Sequence, residues 1–171
     1  MGINLSSAPV PERRYVADCV SVEVRNRIAN LLFGQEKVGG SGALRSLIEL
    51  KMNPDGIAMF LGVAGSMQGI TVDELFAMSR APVESLRKIE QEPEQTVAFA
   101  ANMVSASFTT QEACLDFYQA SASSMAQAKV TRQIAVDPVV RVELRLALAV
   151  ALLKELKRVS AELTSAVKEE K

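Results

Sequence analysis

Apolar side chains recur at intervals of three and four along most of the chain, the spacing that places them on one face of an α-helix. Between Glu12 and Phe33 the stripe comprises Tyr15, Val16, Cys19, Val20, Val24, Ile28, Leu31 and Leu32, and Gly34 can end the helix. Leu44, Leu47, Ile48 and Leu50 predict a short helix over 43–51. Asn53-Pro54 is a helix-start signal, because Asn caps free amides and Pro suits a first turn, so a helix is expected from Pro54 to about Met67. Thr71-Val-Asp-Glu74 has capping-box spacing and opens a helix over 71–78; Pro82 opens another over 82–91, bearing Val83, Leu86 and Ile89. Two further helices are expected over 94–108 and 110–128, with Thr109 or Thr110 capping the second. Val140, Val142, Leu144, Leu146 and Leu148 alternate as in a strand, but the Leu and Ala richness and unbroken length of 139–153 favour a long helix opened by Asp137-Pro138. No internal repeat is visible.

These elements predict an all-α protein. A mobile arm over 1–11 precedes a helical domain over 12–136, and 137–171 forms the long C-terminal helix. On that helix Leu146, Val150, Leu153, Leu156 and Leu163 present an apolar seam predicted to join subunits. At 171 residues and 49% apolar composition the chain can bury one good core, and 5% aromatics with no Trp suits helix packing.

Candidate chemistry is sparse. The chain has no His and two cysteines, Cys19 and Cys114, which removes the residues that most metal sites and general bases use. The expectation is a protein that is not an enzyme and needs no metal or cofactor, with both thiols acting as small hydrophobes of a reducing cytoplasm. No stretch has the length and apolarity of a signal-peptide core or a membrane span. Gly34 through Ser41 echoes a phosphate-binding loop, but Gly40 stands where that loop carries Lys, so a plain flexible loop is expected.

Net charge is −1 but unevenly spread: residues 1–54 hold seven Lys/Arg against five Asp/Glu, residues 55–128 three against nine, and residues 129–158 seven against three. A polyanion would meet the basic flanks first. The segment Gly69-Ile-Thr-Val-Asp-Glu-Leu-Phe-Ala-Met-Ser-Arg-Ala-Pro-Val-Glu-Ser-Leu-Arg-Lys-Ile-Glu90 resembles the helix-turn-helix of XRE (Cro/repressor-like) regulators, with Leu75, Leu86 and Ile89 at core positions. Phe76, Arg80 and Pro82 depart from that pattern. Ala58-Met-Phe60 with the downstream Leu86-Arg-Lys-Ile89 also resembles the flagellar master-regulator subunit FlhD. These resemblances imply a helix-turn-helix-like segment over 54–91 and an oligomeric transcription regulator that binds DNA alone or with a partner subunit. Thr71, Arg80, Ser85, Arg87 and Lys88 would face DNA there, and Arg13, Arg14, Arg132, Arg141 and Arg145 are candidates for sequence-blind phosphate contacts. Two other readings stay open: a phage small-terminase-like DNA-packaging or scaffold protein, and an interaction adaptor that binds no DNA.

Overall fold

The computed structural model describes residues 5, 8–39, 42–66, 74, 77, 84–92 and 94–169. Among these it is a mixed α/β protein with eight strands and three helices, which overturns the all-α expectation.

The region expected as one helix over 12–33 is β1 (Arg14–Val16), β2 (Cys19–Arg25) and the first part of β3 (Ile28–Glu36). Val20, Val22 and Val24 also alternate with period two, and β-branched residues favour the pleated sheet. Asn26 and Arg27 sit at φ 51° and 61°. Two consecutive left-handed residues make the tight turn that matches strand twist and closes a hairpin. The helix expected over 43–51 is β4 (Leu44–Met52). The glycine loop before it links antiparallel β3 and β4, with Gly39 and Gly42 at positive φ, so no helix follows it to complete a phosphate cradle. The helices expected over 94–108 and 110–128 are instead β5 (Val97–Ala100), β6 (Met103–Phe108) and β7 (Glu112–Gln119), with α2 (Ala122–Thr131) following. Thr109 does not cap a helix; its hydroxyl accepts the Glu112 amide inside the β6–β7 turn. The long C-terminal helix divides into β8 (Asp137–Arg145) and α3 (Leu146–Glu169), so the alternating valines do form a strand.

One helix expectation agrees closely with the structure. α1 spans Pro54–Ser66, and the Gly56 amide donates to Asn53 Oδ1 at 2.8 Å, the cap that Asn53-Pro54 signals.

The strands form two sheets ordered β1-β8-β7-β6 and β2-β3-β4-β5, here sheets A and B. Each sheet takes three strands from one half of the chain and its fourth from the other. Within each half the three strands run antiparallel, and the exchanged strand pairs in parallel, β1 with β8 and β5 with β4. The architecture is therefore an internal duplication, contrary to the expectation of no repeat. Equivalent residues lie 84 positions apart through the first three strands of each half: Tyr15 and Phe99, Ala17 and Ala101, Val20 and Val104, Leu31 and Leu115, Phe33 and Phe117. Pro9, Ser21, Ala29 and Gln35 are also repeated at that interval. Strand register extends the match to β4 and β8, where Ile48 faces Phe33 as Val140 faces Phe117.

Two corners join the sheets. The Ala17 amide donates to the Glu143 carbonyl of sheet A at 2.9 Å, and the next amide, Asp18, donates to the Gly34 carbonyl of sheet B at 3.0 Å. At the equivalent corner Ala101 donates to Lys51 at 3.2 Å and Asn102 to Tyr118 at 3.1 Å. The β1–β2 and β5–β6 segments are thus two bent strands that pass from one sheet to the other.

The inner faces and helices enclose one core. Phe117 meets Phe33 edge-on at 6.1 Å and Phe60 of α1 at 6.0 Å between centroids. α1 packs on β6 and α3 on β2, and the two helices touch. Leu146, Val150, Leu153 and Leu156 are buried, and Leu163 packs on the same core, so the seam expected to join subunits is occupied within the chain.

Truncating either of two equivalent, fully buried rings opens a cavity at the centre of the duplication. Phe33→Ala and Phe117→Ala should each lose about 3–5 kcal/mol in chemical unfolding, Phe117→Ala the more because it forfeits two edge-on ring contacts worth about 0.5–1.5 kcal/mol each.

Candidate binding groove

The outer faces of the two sheets are built from equivalent positions but dressed differently. On sheet B, Leu32 and Glu49 stand opposite each other across β3 and β4. Their counterparts on sheet A are Asp116 and Arg141, opposite each other across β7 and β8. Arg141 grips Asp116 bidentately, Nε to Oδ1 at 2.6 Å and Nη2 to Oδ2 at 2.7 Å, with both side chains mostly shielded.

Each sheet face also carries a further segment of the chain itself. Glu84 to Glu92, expected as most of the second helix of the helix-turn-helix, is a strap without regular secondary structure. Ile89 is buried at its centre against Cys19 and Leu32, with Leu44 packed on the group. Around it Arg87 pairs with Glu36 and donates to the Gly42 carbonyl at 2.8 Å, Gln91 donates to Glu49 at 2.9 Å, and Lys37 meets Glu92 at 3.1 Å. On sheet A, Leu5 and Ala8 of the N-terminal arm pack against Met103, Tyr118 and Ala120. Leu5 lies 84 residues before Ile89, so arm and strap are equivalent segments of the two halves.

Beside these segments a groove runs over the Ala17-Asp18 corner. A cavity of about 580 Å³ lies against β1, β7 and β8, lined among others by Val16, Ser107, Glu112, Cys114 and Glu143. A second of about 390 Å³ lies between that corner and the strap, walled by Cys19, Glu36, Glu84 and Ser85. Asp18 and Arg145 line both. Asp18 Oδ1 accepts the Glu36 amide at 2.9 Å, as Asn102 Oδ1 accepts the Ala120 amide at 2.8 Å at the other corner. Arg145 crosses the junction, donating to the Asp18 carbonyl at 3.2 Å and to Glu84 at 3.1 and 3.3 Å.

Of the residues predicted to face DNA, Ser85, Arg87 and Arg145 line the smaller cavity and Arg141 and Arg145 the larger one, while Arg13, Arg14, Lys88 and Arg132 line neither. Thr71 and Arg80 lie outside the described residues, while Glu74 and Ala77, near them in sequence, are helical. Arg87, Arg141 and Arg145 hold Glu36, Asp116 and Glu84, and the Arg13 guanidinium lies over the Phe99 ring at 5.4 Å. A cation already paired with a carboxylate releases little when it meets a phosphate. Ser85 lines the groove and Lys88 is exposed on the strap, whereas Arg14 lies on β1 and Arg132 caps α2 in a left-handed conformation. The second helix of the expected helix-turn-helix is therefore not formed over residues 84–91. Sequence reasoning missed Glu112, Cys114, Asp116 and Glu143, whose signal was the period-two spacing along β7 and β8.

Neither thiol is poised for chemistry. Burial, reinforced by the Asp18 carboxylate, pushes the Cys19 thiol from 9.0 up to about 12. Burial and then Asp116 push Cys114 up as well. Among the described residues no group of three His, Cys, Asp or Glu side chains could hold a metal, and no helix is long and apolar enough to cross a membrane. No family model, curated protein or solved structure matches the chain.

Asp116→Ala should leave Arg141 shielded and unpaired, costing about 1–3 kcal/mol in urea unfolding, and Arg141→Met in the same background should recover part of that loss. A second expectation concerns alkaline pH. Because folding raises the Cys19 thiol, the folded chain holds that proton more tightly than the unfolded chain does. The resulting stability is whole below the ordinary thiol value of 9.0 and is lost as pH climbs toward about 12. Urea midpoints at about pH 8 and about pH 10.5 should therefore fall less in Cys19→Ala than in the parent.

Proposed function

We propose that this chain is a non-catalytic adaptor that takes an extended segment of a partner protein into the groove along β1 and β8. The observation that carries the reading is the groove's charge arrangement. Its arginines are fixed by carboxylates of the chain, whereas Asp18, Glu112 and Glu143 line it without an ion pair among the described residues. The groove therefore offers unneutralised carboxylates between immobilised cations, which suits a basic segment.

Spacing adds to this. Glu112 faces Arg145 and Glu143 faces Cys114 across β7 and β8, so the two carboxylates are diagonal neighbours on one face. Such neighbours are about 7–8 Å apart, close to the two-residue repeat of an extended chain. A partner strand with cations at alternate positions matches both. Backbone groups on the free side of β1 can contribute, since the Val16 carbonyl already accepts the Gln35 side-chain amide there at 2.7 Å. Mixed-sign polar walls and two free thiols favour a cytoplasmic protein-binding role over catalysis.

Selection of displayed random decapeptides against the chain tests this, with Cys114→Trp, which fills the groove, as the counter-target. Enriched peptides should carry Lys or Arg two positions apart and should lose about tenfold in affinity against Glu143→Lys, whose melting transition should be unchanged. Enrichment that is equal on Cys114→Trp, or that favours acidic peptides, would remove the groove from consideration.

A further inference from the structure

The strap is attached to sheet B almost entirely through side chains. No backbone–backbone hydrogen bond joins residues 84–91 to a strand among the described residues. Its ion pairs, Arg87 with Glu36, Lys37 with Glu92 and Arg145 with Glu84, are all partly exposed to solvent and open to salt screening. Two apolar side chains anchor it: Ile89 is buried over Cys19, and Leu86 is partly buried against the main core. Releasing the strap therefore breaks no ladder and uncovers the Cys19 patch together with the edge of the core under Leu86. The other half of the chain meets the same need in the same way, with Leu5 of the arm laid on the equivalent face.

We propose that the strap is a displaceable internal ligand, and that the patch of Cys19, Leu32 and Leu44 beneath it is a second docking surface for an extended segment of a partner protein. The strap defines that segment's chemistry: a cation, a β-branched apolar residue and an amide at alternate positions, as Arg87, Ile89 and Gln91 present them to Glu36, the patch and Glu49. Period-two spacing places these three side chains on one edge of an extended backbone. A free segment of this kind competes with the strap for the same anchors. The proposal shares the groove's class of partner and borders its smaller cavity at Cys19 and Glu36, but the patch under Ile89 is distinct from the larger cavity along β1 and β8, so either can fail without the other.

Cys19 reports the opening directly. In a Cys114→Ser chain it is the one thiol, and a maleimide followed by mass spectrometry reads its exposure under native conditions. Arg87→Glu reverses the anchor against Glu36 and should speed labelling by about tenfold with the melting transition retained. Removing the Arg87 cation disfavours the thiolate, so electrostatics alone would slow the reaction, and acceleration reports release of the strap. A synthetic peptide of residues 84–92, at about 1 mM, should then slow labelling of the variant again by reoccupying the patch. Ile89→Asp, provided it folds, should behave as Arg87→Glu does. Labelling of Arg87→Glu no faster than the parent, or labelling that the peptide leaves unchanged, overturns the proposal. Occupancy of the groove near Cys114 does not enter this readout.

Discussion

Everything in this structure depends on two corners at which consecutive amides serve different sheets. At Ala17-Asp18 and again at Ala101-Asn102 the strand turns so sharply that one residue completes sheet A or B and the next begins the other. A sharp bend leaves backbone groups exposed to desolvation without partners, and here a short polar side chain closes the gap: Asp18 on the Glu36 amide, Asn102 on the Ala120 amide. The buried Ala17 and Ala101 leave room for the bend, since any larger side chain would push into the core. With both corners in place each half donates a strand to the other, and neither half retains a complete sheet by itself.

The same exchange places the proposed binding surfaces. Because the inner faces are used up in one shared core, whatever the chain recognises must lie outside, where the two halves have diverged. Leu32 and Glu49 on sheet B became a seat for Ile89 and Gln91, while Asp116 and Arg141 on sheet A lock one another and hold the groove floor in a fixed geometry. Pinned arginines lose less side-chain freedom when a ligand arrives, so the open carboxylates can act as the selective element. Strap and arm are then variants of one interaction, a segment outside the ladders laid on a sheet face through an apolar side chain, Ile89 in one half and Leu5 in the other.

Part of this was legible in the sequence. Asn53-Pro54 announced α1 because capping is local chemistry that tertiary packing does not override. The strands were not legible, because Leu31, Leu32, Leu44, Leu47, Ile48 and Leu50 fit a three-four stripe as well as a buried run, and periodicity cannot separate the two. Asn26-Arg27 closes a hairpin without the glycine that usually marks one. The repeat escaped notice because the residues kept at an interval of 84, such as Ala17, Val20, Leu31 and Phe33, are common core types, while most of the surface between them changed. For the site, the basic residues were visible but their partners were not: Arg87, Arg141 and Arg145 pair with carboxylates 51, 25 and 61 positions away, respectively.

Amide hydrogen exchange followed by mass spectrometry tests this account most directly, because it reads the shared core and the docked segment in one experiment. The account predicts one common, highest level of protection for the ladders of both sheets, including the exchanged β1–β8 and β4–β5 pairs, with residues 84–92 opening well below that level. Separate protection levels for the two halves, or a strap protected as strongly as β3 and β4, would contradict it.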